Sequence, residues 1–281
     1  MSAKSDEELL RILSEDCPFA DLTTEGLGIG DVPATASFTA RNEMVVCGSE
    51  DAERMMQLAG AATTLAARSG ETVAAGTLIL QASGSARQIH HAYKMAQTLM
   101  EILSGMSTAT RAIVDAARAG NPRCRVACTR KHMPGLKRWA VRAIEAGGAA
   151  PHRLGLSDYV LVFAEHRTLL DGSQTLGEHF ARLAASTPER RLAAEAGSFD
   201  EAVALAQAGA EIVQVDKMSP DEVAAVATRL QAMPMRPLLA AAGGINPSNA
   251  QAYAAAGADL LVTSQPYYAP PRDVKVAIRR A

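Results

Sequence analysis

With 281 residues, 48% of them hydrophobic and 21% charged, the chain has an ordinary globular composition and enough apolar residues for one large domain or two. Its 28 Lys and Arg stand against 30 Asp and Glu, a net charge of −2, which leaves no reason to expect a nucleic acid or an anionic membrane as partner; any basic site must be local. The start, MSAKSDEELLRILSED, is acidic and amphipathic rather than a secretory signal, no later segment has the length of a membrane span, and the expected location is cytoplasmic.

Residues 1 to about 85 combine a leading helix with short apolar segments at 35–40, 44–47 and 77–81, divided by Gly70 and Gly76, the pattern of a small α+β domain. Residues 87–119 are rich in Ala and Met at helical spacing, with a break predicted near Ser104 and Gly105, and lead into the second part of the chain. From Arg125 onward one unit recurs: a short apolar run, a polar or Gly-containing loop, then an Ala-rich helical stretch. Strands are predicted at 125–128, 159–163, 191–194, 211–215, 237–241 and 259–263, and helices at 200–208, 220–231 and 247–256. Runs this apolar suit a parallel sheet covered on both faces. Periodicity alone leaves an open doubly wound sheet and a closed barrel both standing. The residues that follow the strands favour the barrel, because Thr129-Arg130-Lys131, Glu165-His166, Glu195, Asp216-Lys217, Gly243-Gly244 and Ser264 would then share one rim.

The segment TRKHMPGLKR sets Arg130, Lys131, His132, Lys137 and Arg138 behind a core strand, a charge density suited to an anionic ligand, although Lys137 and Arg138 read better as solvated. His152 and Arg153 form a second donor pair in a Gly-rich loop, or simply a solvated step of it. Glu195 and Asp216, each at a strand end, could hold Mg²⁺ and a pyrophosphate between them, or serve as salt-bridge partners or caps. Gly243 and Gly244, the helix predicted at 247–256 and Ser264 have the order of a phosphate cradle, which a tight corner would also explain. Cys17, Cys47, Cys124 and Cys128 lack paired CxxC spacing and read as packed thiols, a redox pair of Cys124 and Cys128 being the alternative.

The stretches EDCPFADLTT, ILSGMSTATR, TRKHMPG, AGGAAPHRLGLSD, EAGSFDEA, VDKMSP and the Gly-Gly-Ile segment, in this order, resemble the quinolinate phosphoribosyltransferase family over nearly the whole chain. TRKHMPG, LVFAEHR, VDKMSP and LVTSQPYYAPPRDVKV are similar in detail to its ModD branch, which is associated with molybdenum-transport genes. The resemblance implies an α/β fold: an N-terminal α/β sandwich over residues 1–110, with the tail 266–281 returning to it, and an incomplete six- or seven-stranded α/β barrel over 111–265. It also implies a homodimer or higher oligomer with shared active sites. The implied reaction, a step of NAD biosynthesis, joins quinolinate to the sugar of Mg²⁺-bound phosphoribosyl pyrophosphate. Carried over by motif, Arg130, His152 and Arg153 grip the base, Lys131 serves substrate and phosphates, Glu195 and Asp216 take the metal and ribose, and Gly243, Gly244 and Ser264 take the 5′-phosphate. Lys94, where the family usually has Arg, would come from the partner subunit.

The sequence also departs from the family, with phosphoribosyl handling read as retained and base recognition as changed. The family's Lys-Asp-Asn-His run is replaced by Phe163-Ala164-Glu165-His166, the Ser before Gly-Gly is Ala242, a later phosphate-loop Gly is Ser264, and the Asn after the strand-end Asp is Lys217. The expectation is a phosphoribosyltransferase acting on a small anionic heterocycle, with Phe163 and His166 beside the base. The competing reading is a catalytically silent anion-binding or regulatory protein linked to molybdenum. A third, an aldolase- or isomerase-like barrel, would rest on Lys217.

Overall fold

The computed structural model describes the backbone of residues 3–281 and the side chains from residue 6 onward. In chain order the first part holds α1 (Ala3–Asp16), α2 (Leu22–Gly26), β1 (Pro33–Ala40), β2 (Met44–Val45), α3 (Ser49–Leu58), β3 (Ala62–Leu65), β4 (Thr72–Val73), β5 (Leu78–Ser85) and α4 (Ala86–Gly120). The second holds β6 (Arg125–Cys128), α5 (Lys137–Ala146), β7 (Ala150–Pro151), β8 (Val160–Val162), α6 (Ala164–Arg167), α7 (Leu176–Ser186), β9 (Leu192–Ala196), α8 (Phe199–Gln207), β10 (Ile212–Asp216), α9 (Pro220–Gln231), β11 (Leu238–Ala242), α10 (Ala250–Ala255), β12 (Leu260–Thr263) and β13 (Val274–Arg280). Two compact units result. One comprises the chain up to Ala109 with Leu136–Gly147 and Tyr268–Ala281; the other comprises Thr110–Gly135 and Gly148–Tyr267.

The first unit is built on an antiparallel sheet in the order β13-β1-β5-β3. Strand β1 buries every second residue, Ala34, Ala36, Phe38 and Ala40, as a half-covered sheet requires. The tail strand β13 completes the sheet antiparallel to β1, from Ala34 opposite Arg280 to Ala40 opposite Val274.

Helix α4 runs unbroken through the break predicted at Ser104 and Gly105. Those small residues mark close approach instead. A Cβ on Gly105 would lie 2.3 Å from the Pro270 carbonyl oxygen, the Ser104 hydroxyl accepts the Cys47 amide at 3.0 Å, and Ser107 donates to the Val45 carbonyl at 2.6 Å. Helix α5 corrects a second expectation. Arg138 is not simply solvated: it pairs with Glu8 and, at 3.7 Å, with the fully buried Asp51, while Arg142 pairs with Asp51 and, at 3.5 Å, with Glu50. Burial pushes the Asp51 carboxyl above the ordinary range, against the pull of Arg142 and Arg138. The charge-dense TRKHMPGLKR stretch is thereby divided: Arg138 joins the first unit and Arg130 and Lys131 the second.

The second unit is a seven-stranded parallel sheet in the order β7-β6-β12-β11-β10-β9-β8, an incomplete α/β barrel whose two edges are β7 and β8. Its central strands are buried almost end to end, LAAEA, IVQVD and LLAAA alike. Strand β7 lies in the stretch read as a Gly-rich loop; at two residues it is too short to show periodicity. Leu161, Ala193, Ile212, Ala240, Ala242 and Val262 form one buried cluster. Capping fixes where chemistry meets solvent. Directly after β10, Ser219 and Glu222 form a capping box with Pro220 in the first turn of α9, so the chain turns between Asp216 and Ser219. Cys47, Cys124 and Cys128 are buried, and burial pushes the first two thiols up to about 11 and the third to about 12, which leaves no thiolate for redox work. Among the described residues no helix is long and apolar enough to cross a membrane.

Candidate active site

A cavity of about 620 Å³ opens at the C-terminal ends of the parallel strands, with Leu161, Phe163, Ala242, Ile245 and Val262 as its apolar part. Arg130 and Lys131 follow β6, His152 and Arg153 follow β7, and Phe163 and Glu165 follow β8. Glu195, Gln214 and Asp216 belong to β9 and β10, and Gly243, Gly244 and Ser264 stand just beyond β11 and β12; all line this one space. Two expected residues stand elsewhere. His166 lines a neighbouring cavity of about 750 Å³, where its Nδ1 accepts the Phe163 amide at 3.0 Å and its ring stacks on Phe163 at 5.7 Å. Lys94 belongs to α4 in the first unit, exposed, donating to Gln97 Oε1 at 2.9 Å.

The two sides of the cavity carry opposite charge. Burial, then the nearby Arg130, push the Arg153 guanidinium below its ordinary value; two like charges held this close ask for an anion between them. Arg153 also lies over the Phe163 ring, 5.5 Å from its centroid. His152 is no third cation. Burial, then Arg153, push it down to about 4, so it is neutral at pH 7, its ring edge-on to Tyr159 at 5.5 Å. Opposite, burial and then Asp216 push the Glu195 carboxyl up, while Gln214 holds it back by donating to its Oε2 at 2.8 Å. The other end of that amide, Gln214 Oε1, is buried without a partner. Among the described residues no group of three His, Cys, Asp or Glu could hold a metal. The available acids instead form an open pair, the arrangement in which Mg²⁺ takes one or two carboxylates and fills its sphere with water and phosphate oxygens.

The corner beyond β11 is shaped by backbone. Gly243 and Gly244 have φ of 93° and 75°, and a Cβ on Gly243 would lie 2.6 Å from Lys217 Cγ and 2.7 Å from its amide nitrogen. Lys217 itself, at φ 59°, is the one non-glycine with positive φ among the described residues, a conformation that costs about 1–2 kcal/mol. The helix expected at 247–256 is shorter, beginning only at Ala250. Asn246 is the reason: its side chain accepts from the Ser248 amide at 2.9 Å and the Ser248 hydroxyl at 2.6 Å, a local turn that competes with helix. The cradle therefore rests on glycine backbone more than on a helix end. Gln214, Asn246 and Gln265 line the cavity without having been singled out in the sequence. For Gln214 a signal existed, the lone polar residue inside the apolar run IVQVD.

The chain is 45% identical over 245 residues to the ModD protein of Rhodobacter capsulatus, covering 87% of this chain and 94% of that one. It is 36% identical over 276 residues to the ModD protein of Pasteurella multocida, covering 98% of both. In fold it is similar to the nicotinate-nucleotide pyrophosphorylase of Francisella tularensis, with a TM-score of 0.89 at 22% identity over 98% of this chain and 96% of that one. Models of the N-terminal and C-terminal domains of quinolinate phosphoribosyl transferase match residues 21–104 and 106–277. Both domains are thus present in sequence and in fold, and the chain belongs to the quinolinate phosphoribosyltransferase family.

Proposed function

We propose that the protein transfers the phosphoribosyl group of phosphoribosyl pyrophosphate to the ring nitrogen of a heterocycle such as quinolinate, releasing pyrophosphate; with quinolinate the carboxylate next to the nitrogen then leaves as CO₂ and a proton takes its place on the ring, giving nicotinate mononucleotide, and with another base a related nucleotide forms. The observation that carries this is the convergence of Arg130, Lys131 and Arg153 with Glu195 and Asp216 on one cavity, in a chain of this family. In the transfer the C1–O bond breaks with its electron pair leaving on pyrophosphate, and the nitrogen lone pair closes the new C1–N bond. That step moves no proton, so the work left to the protein is charge placement and orientation.

Arg130 and Arg153 hold a carboxylate of the base, and neutral His152 adds a directional contact without a third charge. Lys131 faces the phosphates, and Gly243, Gly244 and Ser264 take the 5′-phosphate through a backbone opened by glycine. Glu195 and Asp216 fit Mg²⁺: Asp216 raises the cost of charge on Glu195, and the unpartnered Gln214 carbonyl stands beside Glu195. Held by Glu195 and Asp216, the ion would supply positive charge to offset the diphosphate that leaves. Phe163 gives the base an aromatic face where the family carries a cation, which favours a heterocycle with fewer carboxylates than quinolinate. A homodimer, in which the partner subunit delivers Lys94 to the site, belongs to the same proposal.

The test is pyrophosphate release from phosphoribosyl pyrophosphate and Mg²⁺ across a panel of pyridine carboxylates. At least one base should give turnover, and Phe163→Lys should improve the use of quinolinate relative to a monocarboxylate. The neutral His152 and the Phe163 ring also favour a second reading, an anion binder without catalysis. Its mark is a thermal shift with phosphoribosyl pyrophosphate and no release with any base; neither shift nor release sinks both readings.

A further inference from the structure

Lys217 stands where the chain leaves β10. Its amide donates to the Ala242 carbonyl at 2.8 Å, carrying the β10–β11 ladder one residue beyond the last register pair, Asp216 opposite Ala242. At that point the backbone turns left-handed, which glycine or asparagine does at little cost and lysine does not. The side chain then packs on Gly243, where a Cβ would lie 2.6 Å from Lys217 Cγ, 2.7 Å from its backbone nitrogen and 2.9 Å from Asp216 Oδ1. The ammonium group ends 3.6 Å from Asp216 Oδ2, with the side chain 81% exposed on the cavity rim.

An ordinary surface lysine needs none of this. Its head is solvated from any backbone conformation, with no need of a strained left-handed turn. The strain has a use in the distribution of charge. Of the cations lining the cavity, Arg130, Lys131 and Arg153 follow β6 and β7, whereas Glu165, Glu195 and Asp216 come from the opposite strands. Lys217 is the one cation that the acidic side contributes, placed between its strand-end acid and the glycine corner. Backbone strain that persists at a cavity rim is a pointer to a group held for a ligand.

We infer that Lys217 is a further binding residue, whose ammonium group takes a phosphoryl oxygen of the sugar donor across the acidic side of the cavity. This rests on the phosphoribosyltransferase reading. No bond is made or broken at Nζ and its protons stay in place; the group neutralises phosphate charge where the acids alone would repel it. The phosphoryl group could be the 5′-phosphate or the diphosphate, and the two are told apart with separate probes.

The experiment measures calorimetric binding of ribose 5-phosphate and of pyrophosphate with Mg²⁺ to the whole protein and to Lys217→Gly, Lys217→Asn and Lys217→Arg. Gly and Asn both accept the left-handed backbone, so their Tm should equal or exceed that of the wild type. Their affinity for at least one probe should fall roughly tenfold or more, with Lys217→Arg largely retaining it. The probe that weakens identifies the end of the donor that Lys217 holds. Wild-type affinity for both probes in the Gly and Asn variants overturns the inference, as does a loss of binding that tracks a loss of Tm in both. A wild-type protein that binds neither probe overturns the phosphoribosyl reading itself, and this inference with it.

Discussion

His152 and Arg153 are neighbours in sequence and differ in charge at neutral pH, and burial is what separates them. The folded protein holds His152 near 4, whereas an unfolded histidine titrates at about 6.5, so as the pH falls the unfolded chain binds its proton first. Stability from this residue is full above about 6.5 and is lost as the pH drops toward 4, by about 2 kcal/mol once the ring's partial exposure is allowed for. Urea titrations at pH 7 and pH 4.5 check this: His152→Asn should lose clearly less stability between the two than the wild type, and equal losses would show that the ring is charged in the fold. The motif APHR identified both residues. Its letters could not say which would be charged, because that depends on how deeply the fold buries His152 beside Arg153. Gln214 is the reverse case, half legible as a polar letter in an apolar strand, with its role dependent on Glu195 one strand away.

Helix α5 is where charge reading from sequence went wrong, and the cause is fold-level. Its arginines find Glu8, Glu50 and Asp51, which lie about 90 to 130 residues earlier in the chain. Arg142→Ala would leave the fully buried Asp51 with Arg138 alone, at 3.7 Å, and should cost about 3 kcal/mol in urea unfolding. Arg138→Ala should cost less, because Arg142 still holds Asp51 and the abandoned Glu8 is half exposed. A loss below about 1 kcal/mol for Arg142→Ala would mean that water screens the pair. The long helix α4 was legible from its spacing, but its Ser104-Gly105 step was not: the same small residues that break helices also let Pro270 and the backbone at Cys47 come close.

At the scale of the whole molecule, the unclosed seven-stranded barrel of the second unit carries the cations and acids to one rim, and the proposed dimer adds Lys94 from a second subunit. Mixing Lys94→Ala and Lys131→Ala chains tests that addition. Each variant alone should turn over poorly, while in every mixed dimer one site receives both lysines and activity should return; no recovery on mixing would place each site within one chain. By itself the sequence determined the recurrent βα order from β6 to β12 except for the two-residue β7, the apolar strands, and the chemical letters at their ends, because these are local patterns of period and composition that neighbouring residues settle among themselves. Only the tertiary structure decided which of those letters share a cavity, that Arg138 leaves the anion site for Asp51, that His152 is neutral, and that Lys217 is bent left-handed over Gly243. Charge state and close approach depend on burial and on partners from distant strands, and neither exists until the barrel has formed.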